Sequence, residues 1–193
     1  MPTTNAPLAK APAIPLPLPR SSRPARLARA TAAAAPSLTP EQLSALLWNG
    51  FGLGRHGSGG RAAWSARTAQ PVETYLCAPD GCYRYEPHDH VLLPVSGQDA
   101  RRLALANPSQ PLPALAVVYV TRREDEGPDE ETGRLQAADP GAIAASVAAS
   151  CDSLGLPSQR EPSFDARLAG LLGIRAPRRV ALTQSIACAP RAH

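Results

Sequence analysis

Aromatic side chains are scarce, at 4% of the chain, with two Trp, four Tyr and two Phe. A core must then come from Ala, Leu, Val and Ile, which bury less area per residue, and a protomer built this way gains from dimerising. Lysine is nearly absent. Only Lys10 occurs, so 19 of the 20 basic residues are Arg, scattered among Ala and Pro. That scatter, with no recognition motif, argues that the formal charge of +4 does not mark a nucleic-acid binder. No run of about 18 apolar residues exists, which excludes a helical membrane span. Prolines interrupt the N-terminus where a secretory signal would need a continuous apolar core, so a cytoplasmic protein is expected by default. Paired CxxC spacing is missing among Cys77, Cys82, Cys151 and Cys188, which argues against a zinc site. Cys77 and Cys82 flank a turn and are expected to lie opposite each other as reduced thiols.

What is present suits one domain plus a tail: 193 residues, 44% of them apolar. Residues 1–36 hold eight prolines, five basic residues and no acid, a composition that closes no core. They read as an extended arm, disordered or wrapped round a partner subunit, ahead of a domain at 37–193. In "SLTPEQLSALLW" Ser37 or Thr39 caps a helix, Pro40 and Glu41 suit its first turn, and Leu43, Leu46 and Leu47 share one face. Gly50, Gly52 and Gly54 end it.

From residue 72 the period becomes two, and "VETYLC", "CYRYEP" and "HVLLPV" predict a β-meander with a turn at Pro79, Asp80 and Gly81. A short helix is expected over "GQDARRLALA". "ALAVVYVT", apolar on both faces, predicts a buried central strand. "RREDEGPDEETGR" reads as a solvated loop. "AADPGAIAASVAASCDSLGL" predicts a helix whose small residues allow close packing, "SFDARLAGLLGI" a helix capped by Ser163, and "RRVALTQSIA" a final strand. Hairpins mixed with helices give an α+β fold.

"LTPEQLSALLWNGFGLGR", "SART", "VETYLCAPDGCYRYEPHDHVLLPV", "AADPGAIAASVAASCDSLGL" and "VALTQSIACAP" resemble, in that order, pieces of the nitroreductase family of flavoproteins, closest to its short members, across about residues 38–190. The resemblance implies a mostly antiparallel sheet flanked by helices, an obligate homodimer, and one FMN in each of two sites at the dimer interface. It further implies a ping-pong reaction in which hydride passes from NADH or NADPH to the flavin and on to a small organic electron acceptor such as a nitroaromatic or quinone. Such a cofactor needs its phosphate neutralised, its ring buried and a donor near its pyrimidine edge.

On the family's pattern the phosphate falls to "RSSR", where Arg20, Ser21 and Arg23 match an Arg-Ser-x-Arg run and arginine binds phosphate in bidentate fashion. The register is left open, since counting back without a gap reaches Arg29. The loop along the flavin corresponds to Trp64–Gln70, with Ser65, Arg67 and Thr68 as polar contacts; Trp64 and Thr68 stand where relatives carry Pro and Asn. The loop at "SLGLPSQ" supplies Leu154 and Gly155, glycine permitting close backbone approach. Arg191 matches a terminal basic residue that reaches the phosphate. Ala145 and Ser146 replace a Gln-Asn pair. Each has a plain alternative: a flexible basic tail, a Gly- and Arg-rich surface loop, a packing helix, a frayed terminus.

The flavin carries the chemistry in this family, so no side chain is assigned a catalytic role. "HDH" at 88–90 sits at a hairpin turn and is not expected to bind metal, no Ser-His-Asp arrangement can be built, and Glu73 and Glu86 are expected to face solvent. The rival from another class is a scaffold of the same family that has lost its flavin and serves as a binding or interaction module. The related azoline-oxidising dehydrogenases are longer and carry extra partner-binding segments not seen here.

Overall fold

The computed structural model describes residues 12–18, 37–51, 72–87, 89–122 and 130–188, with the backbone alone for 122 and 130–139. Three helices flank the sheet. Helix α1 spans Pro40–Phe51, α2 spans Glu130–Leu154 and the short α3 spans Arg167–Leu171. Strands β1 (Ile14–Pro15), β2 (Glu73–Ala78), β3 (Gly81–Glu86), β4 (Val91–Ser96), β5 (Leu115–Arg122), β6 (Ser158–Glu161) and β7 (Arg178–Ile186) form one sheet in the order β1-β4-β3-β2-β5-β7-β6, every pairing antiparallel. This is the expected α+β architecture.

The start of α1 is a capping box. The Thr39 hydroxyl accepts from the Gln42 amide at 3.2 Å, and the Gln42 side-chain carbonyl accepts from the Thr39 amide at 3.0 Å. Leu46, Leu47 and Phe51 then turn inward against Ile143, Ala144 and Val147 of α2. The small residues do what close packing asks of them: a Cβ on Gly50 would meet Val147 Cγ2 at 2.7 Å.

The central strand β5 shows why its sequence is apolar throughout. Leu115, Val117 and Tyr119 enter the core beneath α1 and α2, while Ala116, Val118 and Val120 enter a second core with Leu168, Leu172 and Ile174. Both faces are covered, so period two disappears from the hydrophobic pattern.

Several expectations are corrected. The segment read as a solvated loop ends in helix, because α2 already begins at Glu130, where acidic residues suit the positive end of a helix. Only a 3-10 turn, Arg101–Ala104, forms where a short helix was expected. Ser163 is not a cap: α3 starts at Arg167 with Ala166 before it and no side-chain capping bond. Strand β6 was missed because "SQRE" is polar, and a short edge strand needs no apolar alternation. Part of the arm is strand as well, Ile14 opposing Leu92 and Pro15 opposing Val91 at the sheet edge, where proline costs no ladder bond. Glu73 is half-buried, its carboxylate 3.1 Å from the Arg178 guanidinium and accepting from the Tyr75 hydroxyl at 3.0 Å.

Candidate functional site

Helix α2 ends at Leu154 with a left-handed glycine: Gly155 has φ +66°, and its amide donates to the Asp152 carbonyl at 3.1 Å while the Leu156 amide donates to that of Cys151 at 2.9 Å. These bonds satisfy the last carbonyls of the helix. Leu154 is half-buried against the core, whereas Gly155 is exposed and a Cβ built on it would meet nothing within 4 Å. The turn therefore presents an open, flat patch of backbone. Its amides are spent, however. Gly155 and Leu156 bond to the helix and Pro157 has no N–H, so no free donor remains between residues 155 and 157.

Two other parts of the chain meet this turn. The Pro157 carbonyl accepts from the Ala187 amide at 2.8 Å, just past the end of β7. The next residue, Cys188, places its thiol 3.5 Å from the Ser37 carbonyl, at the entry to α1. Thus the described chain resumes at Ser37 and ends at Cys188 within one corner, which the Ala187 amide ties to Pro157, two residues beyond Gly155.

Of the residues assigned from sequence, Leu154 and Gly155 are in that corner. Arg20, Ser21, Arg23 and Arg29 (in 19–36), Ser65, Arg67 and Thr68 (in 52–71) and Arg191 (in 189–193) lie outside the described residues. Ala145 is exposed and Ser146 half-buried on α2. Among the described residues, no group of three or more His, Cys, Asp or Glu is arranged to hold a metal ion.

A polar cluster missed by sequence reasoning lies under the end of α1. Tyr119, fully buried, donates to the Gln184 side-chain carbonyl at 2.7 Å. The other end of that amide, Gln184 Nε2, and the hydroxyl of Thr74, whose Cα opposes that of Tyr119, have no partner among the described residues. Phe51 stacks on Tyr119 with centroids 6.2 Å apart. Both ends of the 52–71 segment, at Phe51 and Val72, therefore adjoin this cluster.

His90 lies in the turn before β4, as expected, yet is 4% exposed. The Tyr85 hydroxyl lies 2.8 Å from Nδ1 and the Ser44 hydroxyl 2.9 Å from Nε2, while Ser44 donates to the Pro17 carbonyl. Since Ser44 gives its proton to Pro17, Nε2–H donates to Ser44 and Nδ1 accepts from Tyr85, a neutral imidazole with every proton used. Burial pushes the His90 pKa down, opposed by the Pro17 carbonyl. With the Leu16 amide donating to the His90 carbonyl at 3.1 Å, this cluster clasps residues 14–17 to the sheet.

No family model and no curated protein matches the chain. Solved structures do. A protein from Ralstonia eutropha JMP134 assigned to the nitroreductases shares 25% identity, covers 96% of this chain with 98% of its own, and superposes with a TM-score of 0.70. The Escherichia coli microcin synthetase McbBCD complex, solved with truncated pro-MccB17 bound, has a chain that is 19% identical; the match spans 81% of this chain and 66% of that one with a TM-score of 0.68. An oxidoreductase containing FMN is 14% identical, over 89% of this chain and 84% of its own, with a TM-score of 0.54. The connectivity, the all-antiparallel sheet and these superpositions agree that the chain has the nitroreductase fold shared by that group of oxidoreductases.

Proposed function

We propose that the protein is an FMN-dependent oxidoreductase that takes hydride from NADH or NADPH and passes it to a nitro, quinone or other small organic acceptor, and that it works as a cytoplasmic homodimer. The observation that carries this reading is the corner at Gly155, where the chain leading out of 19–36 and the chain leading into 189–193 flank an open glycine face. The bound flavin would supply the hydride chemistry, since no side chain here is placed to do so.

The chain's own residues would hold and tune it. Arg20, Ser21 and Arg23 would hold the phosphate together with Arg191, which follows Cys188 by three residues, within about 11 Å of chain. Cations are needed there, because the C-terminal end of α2 carries partial negative charge and has no basic residue in its last turn. Ser65, Arg67 and Thr68 would supply the donors toward the pyrimidine edge that the turn itself does not offer.

A second reading has its own observation. The occupied amides at Gly155 and Leu156, with Pro157 after them, leave the turn without a donor for a reduced ring, as suits a scaffold that binds a partner in place of a flavin. Adding NADH or NADPH without oxygen to the FMN-loaded protein decides between the two: bleaching of the flavin supports the oxidoreductase, and colour that persists with both nucleotides refutes it.

A further inference from the structure

Two of the four cysteines are directly opposed across the β2–β3 hairpin, Cα to Cα. Directly opposed residues of an antiparallel pair have Cα atoms about 4.5–5.5 Å apart, inside the range of about 4.4–6.8 Å that a disulfide spans. Cys77 and Cys82 also share a face, since both enter the core cluster of Tyr75 and Val118. Both are free thiols with no exposed surface. Their cover on one side is thin. Cys82 donates to the Gln98 carbonyl at 3.3 Å, and residues 97–99 are exposed, so a single turn of loop separates that sulfur from solvent.

We propose that Cys77 and Cys82 are an oxidative modification site at which a hydroperoxide closes a cross-strand disulfide. The two thiols have separate parts. Cys82 lies nearer solvent, under the exposed 97–99 turn, and its pKa is lowered, chiefly by the neighbouring Cys77 thiol and helped by the Ala100 amide, against burial and Asp99; the neighbouring Cys82, with burial, raises the Cys77 pKa, and Arg101 opposes it. Cys82 is therefore the attacking sulfur. As thiolate it takes the distal oxygen of the peroxide, breaking the O–O bond and releasing water or an alcohol, and becomes a sulfenic acid. The Cys77 sulfur then attacks Cys82, the S–O bond breaks and a second water leaves. In sum, two thiols and one peroxide give one disulfide; the thiols lose two electrons and the peroxide gains them.

Closure removes the proton that Cys82 gives to Gln98, releasing one tie between the hairpin and the loop that leads to the ion pair of exposed Asp99 with buried Arg101. Neither remaining cysteine has a sulfur neighbour. Cys151 is buried in the opposite core, its pKa raised to about 11 by burial, and Cys188 is half-buried beside Ser37.

Mass analysis of the full chain after hydrogen peroxide treatment, unfolding, alkylation with iodoacetamide and tryptic digestion tests this. Cleavage after Arg67 and Arg84 leaves both cysteines in one peptide, 68–84. That peptide is expected two hydrogens lighter and unalkylated, reverting to the doubly alkylated form after dithiothreitol, while Cys151 remains alkylatable. A doubly alkylated 68–84 under peroxide sufficient to oxidise Cys188 overturns the proposal, as does stable oxygen on Cys82 with Cys77 still alkylated. In Cys77→Ser, dimedone is expected to label Cys82, and a folded variant that takes no label refutes the assigned order of attack. Should that variant not fold, the wild-type peptide decides.

Discussion

Gly81 and Gly155 both have φ in the range that favours glycine, at +150° and +66°, yet their surroundings are opposite. At the β2–β3 hairpin a Cβ on Gly81 would meet the Ser96 carbonyl oxygen at 2.5 Å; at the exit of α2 a Cβ on Gly155 would meet nothing within 4 Å. The first glycine is there because the protein's own backbone fills the space. The second keeps a space that the described residues leave open. Packing demands the glycine of the meander, whereas at the α2 exit only the left-handed turn demands one, and its open side is where the proposed ligand would lie.

Mutation at the two glycines should separate these roles. Gly81→Val adds a clash with backbone to a strained φ and is expected to cost about 3 kcal/mol or more, read as a large fall in Tm. Gly50→Leu, which drives a side chain into Val147 between α1 and α2, should cost about 1–3 kcal/mol despite leucine's better helix propensity. Gly155→Val is expected to cost about 1–2 kcal/mol through its left-handed φ. It should also weaken FMN binding at least about tenfold, and unchanged affinity by fluorescence titration would remove the contrast between the two sites.

A smaller effect comes from His90, clasped between the arm and the sheet. Its folded-state pKa is depressed, so the unfolded chain binds the proton more readily; the clasp is intact above the unfolded value of about 6.5 and loses stability as pH falls through the folded value. Denaturant midpoints should therefore fall as the pH drops below about 6.5. In His90→Gln that slope should flatten, and a persisting slope would assign it elsewhere.

Much of the fold was legible where one physical rule decides. Thr39, Pro40 and Glu41 announce a helix start, alternation announces β2, β3 and β4, and the unbroken apolar run of β5 announces burial on both faces. Elements whose stability comes from their neighbours were not legible. The strand β6 exists because β7 offers it an edge, and β1 because Ser44 and His90 hold the arm. The site divides in the same way. "SLGL" could be read as a helix exit, and its left-handed glycine is where expected. That its amides are already spent depends on how the helix unwinds, and the burial of His90 depends on the fold of a turn that spacing does not encode.

The central claim is that the corner beside Gly155 receives a flavin mononucleotide, and the visible spectrum of freshly purified full-length protein tests it most directly. A yellow protein is expected, one that releases FMN on denaturation and loses it when Arg20, Arg23 and Arg191 are replaced by alanine. Colourless protein that neither binds added FMN nor gains thermal stability from it would contradict the account.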